Sequence, residues 1–128
     1  MSNLQLSLKK QWFELTKSGV KTEDYREINP YWLKRLTNVE YVQPRGNIVK
    51  SEEEIYSLFT SDKVISFVSE NPKVFNSNIM TLGYPKSTDY ERILKLEHKG
   101  IEIREGNPEW GAVPGRKYFV ILHGSFLK

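Results

Sequence analysis

Between Arg92 and Ile103 the chain reads RILKLEHKGIEI, and its apolar residues change sides partway along. Leu94, Leu96 and His98 share one parity, whereas Ile101 and Ile103 share the other. Alternate side chains of a strand point to opposite faces, so a strand with one buried face needs an extra residue to make this switch. A bulge at Lys99–Gly100 is therefore expected. Bulged, bending strands suit a small closed sheet better than a flat one. KYFVILHG (117–124) is apolar on both parities and predicts a central strand.

The rest of the chain must fit around that sheet. Leu4, Leu6 and Leu8 alternate with polar residues, as in a short strand with one buried face. From Lys9 to Ser18 the period is helical, with Trp12, Phe13, Leu15 and Thr16 on one side and Gly19 as the terminator. Residues 22–28 are expected to be extended. NPYWLKRL offers Asn29 as N-cap, Pro30 at the first helical position and a stripe of Trp32, Leu33 and Leu36. EYVQPRGN predicts a strand running into a turn at Pro44 and Gly46. Ser51 and Glu54 form a capping box ahead of Ile55, Leu58 and Phe59. VISFV (64–68) is expected as a buried strand, and Ser69 to Asp89 as the longest irregular segment. The expected architecture is α+β: a small, mostly antiparallel β-barrel with two or three short helices, in one domain over residues 1–128.

Composition removes several functions. The 128 residues hold no cysteine, so disulfides, thiolate metal sites and a cysteine nucleophile are excluded. His98 and His123 stand apart without metal-motif spacing, and are expected as packed or half-exposed residues on strand faces. No cofactor and no metal are expected. MSNLQLSLKK lacks the apolar run of a signal peptide, and no stretch approaches transmembrane length; the expected setting is the cytoplasm, away from membranes. The net charge is +3, and the whole excess lies in the first 35 residues. Lys9, Lys10, Lys17, Lys34 and Arg35 there could meet a polyanion, or simply form solvated faces.

The residues with the most chemical content lie in GVKTEDYREI (19–28). In an extended strand Thr22, Asp24 and Arg26 share one side, opposite Glu23, Tyr25 and Glu27, with Lys21 at the corner. Lysine and arginine donate to phosphate or to base acceptors, and an aspartate accepts from an exocyclic amine. The alternative is a solvated strand whose charges neutralise one another. GNPEWGAVPG (106–115) is the second candidate. Trp110 could stack on a base or plug the end of the sheet, and Glu109 could complete a site or cap its own loop.

LSLKKQWFELTKSGVKTEDYREINPYWLKRL resembles the opening of an ASCH domain, a branch of the PUA-like superfamily. The pattern G-x-K-x-x-E-x-R falls on Gly19, Lys21, Asp24 and Arg26. KGIEIREGNPEWGAVPGRKYFVILHG resembles the matching C-terminal half, and the two segments span about half the chain. The resemblance implies a PUA-like barrel whose charged motif lines a cleft, with RNA or a nucleotide-like small molecule as partner. The ligand-binding residues are then Lys21, Asp24, Arg26, Glu109 and Trp110.

One branch of that family resembles amidohydrolases of N-acetylated cytidine, in which the motif lysine activates a threonine three positions later. Here that position is Asp24, and Thr22 has the wrong spacing. A carboxylate beside Lys21 favours the charged ammonium, which binds anions well and abstracts protons poorly. Binding is therefore the leading expectation. The alternative is a hydrolase acting on a modified nucleoside or on RNA, with Lys21, Asp24 and Glu109 as its catalytic residues.

Overall fold

The structure, a computed structural model, describes residues 2–39, 56 and 60–127. Its strands are β1 (Leu4–Leu8), β2 (Glu23–Arg26), β3 (Ser77–Leu82), β4 (Ile93–Glu105) and β5 (Lys117–Phe126). The described helices are α1 (Lys10–Lys17), α2 (Pro30–Leu36) and α3 (Asp62–Ser69), and 3-10 turns at Tyr90–Arg92 and Pro108–Trp110 precede and follow β4. The strands form one mixed, mostly antiparallel and strongly curled sheet in the order β1-β3-β4-β5-β2. The chain is α+β, as expected.

The described residues within Met1–Asp24, Val74–Gly100 and Ile121–Lys128 form one compact unit, and those within Tyr25–Lys73 and Ile101–Val120 form a second. In the first unit β1 buries Leu4, Leu6 and Leu8 and exposes Gln5 and Ser7, as its alternation demands. It pairs in parallel with β3, from Leu4 opposite Asn78 to Leu8 opposite Leu82. β3 pairs antiparallel with β4, from Ser77 opposite Glu97 to Thr81 opposite Ile93. Phe13 and Thr16 of α1, with Met80, Leu96 and Ile121, complete this buried layer. Helix α1 stops at Ser18, and Gly19 turns the chain with φ 84°. A side chain with a Cβ is strained there.

In the second unit the Asn29 side chain accepts the Trp32 backbone N–H at 2.9 Å, and Pro30 opens α2. Leu33 and Leu36 are buried, while Trp32 remains half-buried. Trp12 of α1 is likewise only half-buried, so neither tryptophan is a full core residue. Tyr118, Phe119 and Val120 of β5 are buried with Ile28, Val68 and Ala112. Tyr25 packs against the Tyr118 ring at 5.7 Å and accepts the Asn107 backbone N–H at 2.8 Å.

Two expectations are corrected. Residues 64–68 are not a strand: they lie inside α3, whose inward positions Val64, Ile65 and Val68 follow helical spacing. Five apolar residues in a row suit either element, and only the partners decide. The segment 69–89 is not wholly irregular, because it contains β3. Ser77, Asn78 and Thr81 of that strand are buried polar residues, which hide the usual apolar alternation. In β4, Lys95 and Lys99 are exposed before Gly100 and Glu102 after it, and Gly100 has φ 121°. Glu105 is exposed as well, so both parities face solvent after that glycine, and β4 runs unbroken from Ile93 to Glu105. The strand expected near Tyr41 and the capping box at Ser51 lie outside the described residues.

A candidate ligand site around a buried lysine–aspartate pair

Lys21 reaches its place because α1 ends one turn earlier. Its backbone N–H donates to the Leu15 carbonyl at 3.0 Å, which pins the corner between helix and strand. The side chain then turns inward. Lys21 Nζ donates to Asp24 Oδ1 at 2.8 Å and to the Glu23 carbonyl at 2.6 Å. Lys21 is 2% and Asp24 5% exposed, so both charges are removed from solvent. A solvated strand is thereby excluded for these two residues. Burying an ion pair is not in itself stabilising, but removing one partner strands the other and costs about 3–5 kcal/mol.

A chain of hydrogen bonds lies in the same unit. His98 of β4 contacts Asn78 of β3, with Nδ1 2.7 Å from Oδ1. Asn78 Nδ2 lies 3.2 Å from the Leu122 carbonyl and 2.7 Å from His123 Nδ1 on β5. The Leu122 carbonyl can only accept, so the Asn78 amide nitrogen must face it, and the orientation of the whole amide follows. Asn78 Nδ2 therefore donates to His123 Nδ1, and His98 Nδ1 donates to Asn78 Oδ1. The imidazole of Phe75's neighbour His98 is held further by an edge contact with the Phe75 ring at 5.2 Å.

Burial dominates the electrostatics of these histidines. It pushes the His123 imidazole down to about 4 and also lowers His98. Asp24 is the largest charge effect on His123 and opposes the shift, while Lys21 and His98 reinforce it. The His123 backbone N–H donates to the Thr22 carbonyl at 3.1 Å, which ties this part of β5 to the residues beside Asp24. In the first unit, Asp24 Oδ2 and His123 Nε2 are buried and have no hydrogen-bond partner among the described residues. Buried polar atoms are nearly always paired, so each such atom calls for an explanation.

The remaining sequence candidates belong to the second unit. Arg26 places its guanidinium 5.2 Å from the Trp32 ring centroid, and Arg35 lies 5.1 Å from the same ring. Tyr31, 63% exposed, meets Trp32 edge-on at 5.0 Å. Glu109 is exposed and Trp110 half-buried on the turn Pro108–Trp110, whose Asn107 side chain accepts the Glu109 backbone N–H at 2.9 Å. The structure thus joins Lys21 to Asp24, and Arg26 to Trp32. Asn78 carried no functional weight in the sequence because its segment lacks strand periodicity. One signal was available: His98 and His123 both fall on apolar strand positions, and two inward histidines require a polar partner.

Among the described residues no group of three or more histidines or carboxylates is placed to hold a metal ion, and no helix is long and apolar enough to cross a membrane. No protein-family model, curated protein or solved structure matches this chain.

Proposed function

We propose that this chain is an ASCH-type, PUA-like domain that binds RNA or a nucleotide-derived small molecule, with Lys21 and Asp24 at the binding site. The observation that carries the reading is the spare oxygen of Asp24. One carboxylate oxygen holds Lys21, and the other is buried without a partner. An unpaired acceptor in such a place is costly to the free protein and is relieved by a ligand N–H. The cluster of Arg26, Arg35, Trp32 and Tyr31 supports the nucleic-acid part of the reading, since arginine and aromatic rings together suit unstacked bases.

Hydrolysis is the weaker reading. Lys21 Nζ donates to Asp24 Oδ1 and to the Glu23 carbonyl, so in this site it acts as a hydrogen-bond donor and not as a base. The test is calorimetric titration of single nucleosides and a short single-stranded RNA into the wild type, with N-acetylcytidine turnover measured in parallel. Binding is expected, and Asp24→Asn should weaken it by roughly 10- to 100-fold, the loss of one charge-assisted hydrogen bond. Robust wild-type turnover that Lys21→Ala abolishes in a folded protein would replace the binding reading with the hydrolase.

A further inference from the structure

Asp24 Oδ2 and His123 Nε2 have opposite hydrogen-bonding character. Asn78 Nδ2 donates to His123 Nδ1, so that nitrogen carries a lone pair and the proton of the neutral imidazole sits on Nε2. The unpaired atom on His123 is therefore a donor, and the unpaired oxygen of Asp24 is an acceptor. Both belong to the first unit, where His123 is bonded to the Thr22 carbonyl two residues before Asp24.

We propose that His123 Nε2–H and Asp24 Oδ2 form a donor–acceptor pair that receives the hydrogen-bonding edge of a neutral planar ligand, and that Asn78 is the positioning residue that sets this polarity. The pair complements a group with a neighbouring N–H and acceptor, such as the amide-like or amidine-like edge of a nucleobase. A phosphate does not fit. It offers acceptors to Asp24, which is already an acceptor, and its charge repels the carboxylate. On this assignment the base edge, and not the backbone phosphate, enters the site beside Lys21.

Asn78 matters because it works from both ends. Its amide nitrogen faces the Leu122 carbonyl and His123, and its oxygen takes the proton of His98 Nδ1. The three side chains form one directed chain, His98 to Asn78 and Asn78 to His123, and reversing any link would place two acceptors or two donors face to face. The imidazole thus stays a donor at Nε2 without moving a proton when a ligand arrives. Lys21 plays a separate part, holding Asp24 through Oδ1 so that Oδ2 alone points to the ligand.

This inference rests on the ligand-binding reading of the site, and NMR of protein labelled with 15N in its histidines separates the two. In the free wild type, His123 should carry its proton on Nε2 and His98 on Nδ1; the reverse tautomers would overturn the inference. Asn78→Asp replaces the amide with a group that only accepts, so His123 Nδ1 should become protonated. Unchanged tautomers in that variant would sink the positioning role. Cytidine, uridine, adenosine and guanosine are then added singly, with inorganic phosphate as the contrasting probe. At least one nucleoside should shift the His123 Nε2–H resonance, and phosphate should not. His123→Leu should weaken that nucleoside at least tenfold, while His123→Gln, which keeps an N–H donor, should stay within about threefold of wild type. Nucleoside binding that leaves the Nε2–H signal and both variants' affinities unmoved defeats the inference and spares the binding reading. A wild type that binds neither nucleoside nor RNA removes both.

Discussion

His123 gives the molecule a built-in response to acid. Its imidazole is held down to about 4 against an ordinary value of 6.5, chiefly because burial penalises the charged form. Between those values the unfolded chain takes up a proton that the folded chain refuses. Stability is therefore full above about pH 6.5 and declines as the pH falls toward 4. The whole effect is about 3 kcal/mol. Asp24 limits it by pulling the imidazole the other way, whereas Lys21 and His98 add to it, and the burial of His98 acts in the same direction. Urea unfolding of wild type and His123→Gln at pH 7.5, 6, 5 and 4 checks the point. The variant should lose less stability over that range, and equal slopes would show that His123 is charged in the folded protein.

At the scale of elements, two glycines in and after β4 do different jobs. Gly106 follows the strand, where an added Cβ would lie 2.6 Å from Tyr25 Cε1 and 2.8 Å from the Ala112 Cβ. Gly106→Ala should push the Tyr25 ring off its place and disturb the bond between its hydroxyl and the Asn107 N–H, at a cost of about 1–3 kcal/mol. Gly100 has open space around its missing side chain but a φ of 121°. Gly100→Ala should therefore cost a similar amount, about 1–3 kcal/mol, through backbone strain alone. Urea unfolding gives both costs, and the Tyr25 ring resonances should move in the first variant only. A Gly100→Ala protein as stable as wild type would count against a bulge at that residue. Element α3 shows the opposite case, where local pattern misled: Val64, Ile65 and Val68 satisfy a helix as readily as VISFV suggests a strand.

Across the whole molecule, the basic excess of the first 35 residues lies mostly on exposed side chains. Lys9, Lys10 and Lys17 are exposed along α1 and its lead-in, and Lys34 is exposed on α2. If the first three each meet a phosphate of single-stranded RNA, log affinity should fall with log salt with a slope of about −2, from roughly −0.7 per contact. Fluorescence titration of a labelled RNA at several salt concentrations measures this, and replacing the three by glutamine should flatten the slope. Salt-independent binding would leave these lysines as solvated surface and move the weight to a small neutral ligand.

Much of the fold was legible because local chemistry and tertiary context agree. Alternation set β1, Gly19 ended α1, and Asn29 with Pro30 opened α2, since each of these features acts within a few residues. The pairing of Lys21 with Asp24 was also within reach, being only three residues apart in the chain. What the sequence could not disclose is what neighbours decide. β3 carries Ser77, Asn78 and Thr81 into the interior, and polar residues survive there only because partners from distant segments satisfy them: Asn3 for Ser77, Leu6 for Thr81, and Leu122 and the two histidines for Asn78. Periodicity records which side chains avoid water; it does not record which polar ones are matched across 20 to 75 residues of chain. Sequence alone therefore determined the charged corner at Lys21 and the elements around it. The tertiary structure alone decided that His98, Asn78 and His123 form one directed hydrogen-bond chain beside it, because hydrogen-bond direction exists only once donors and acceptors are brought together.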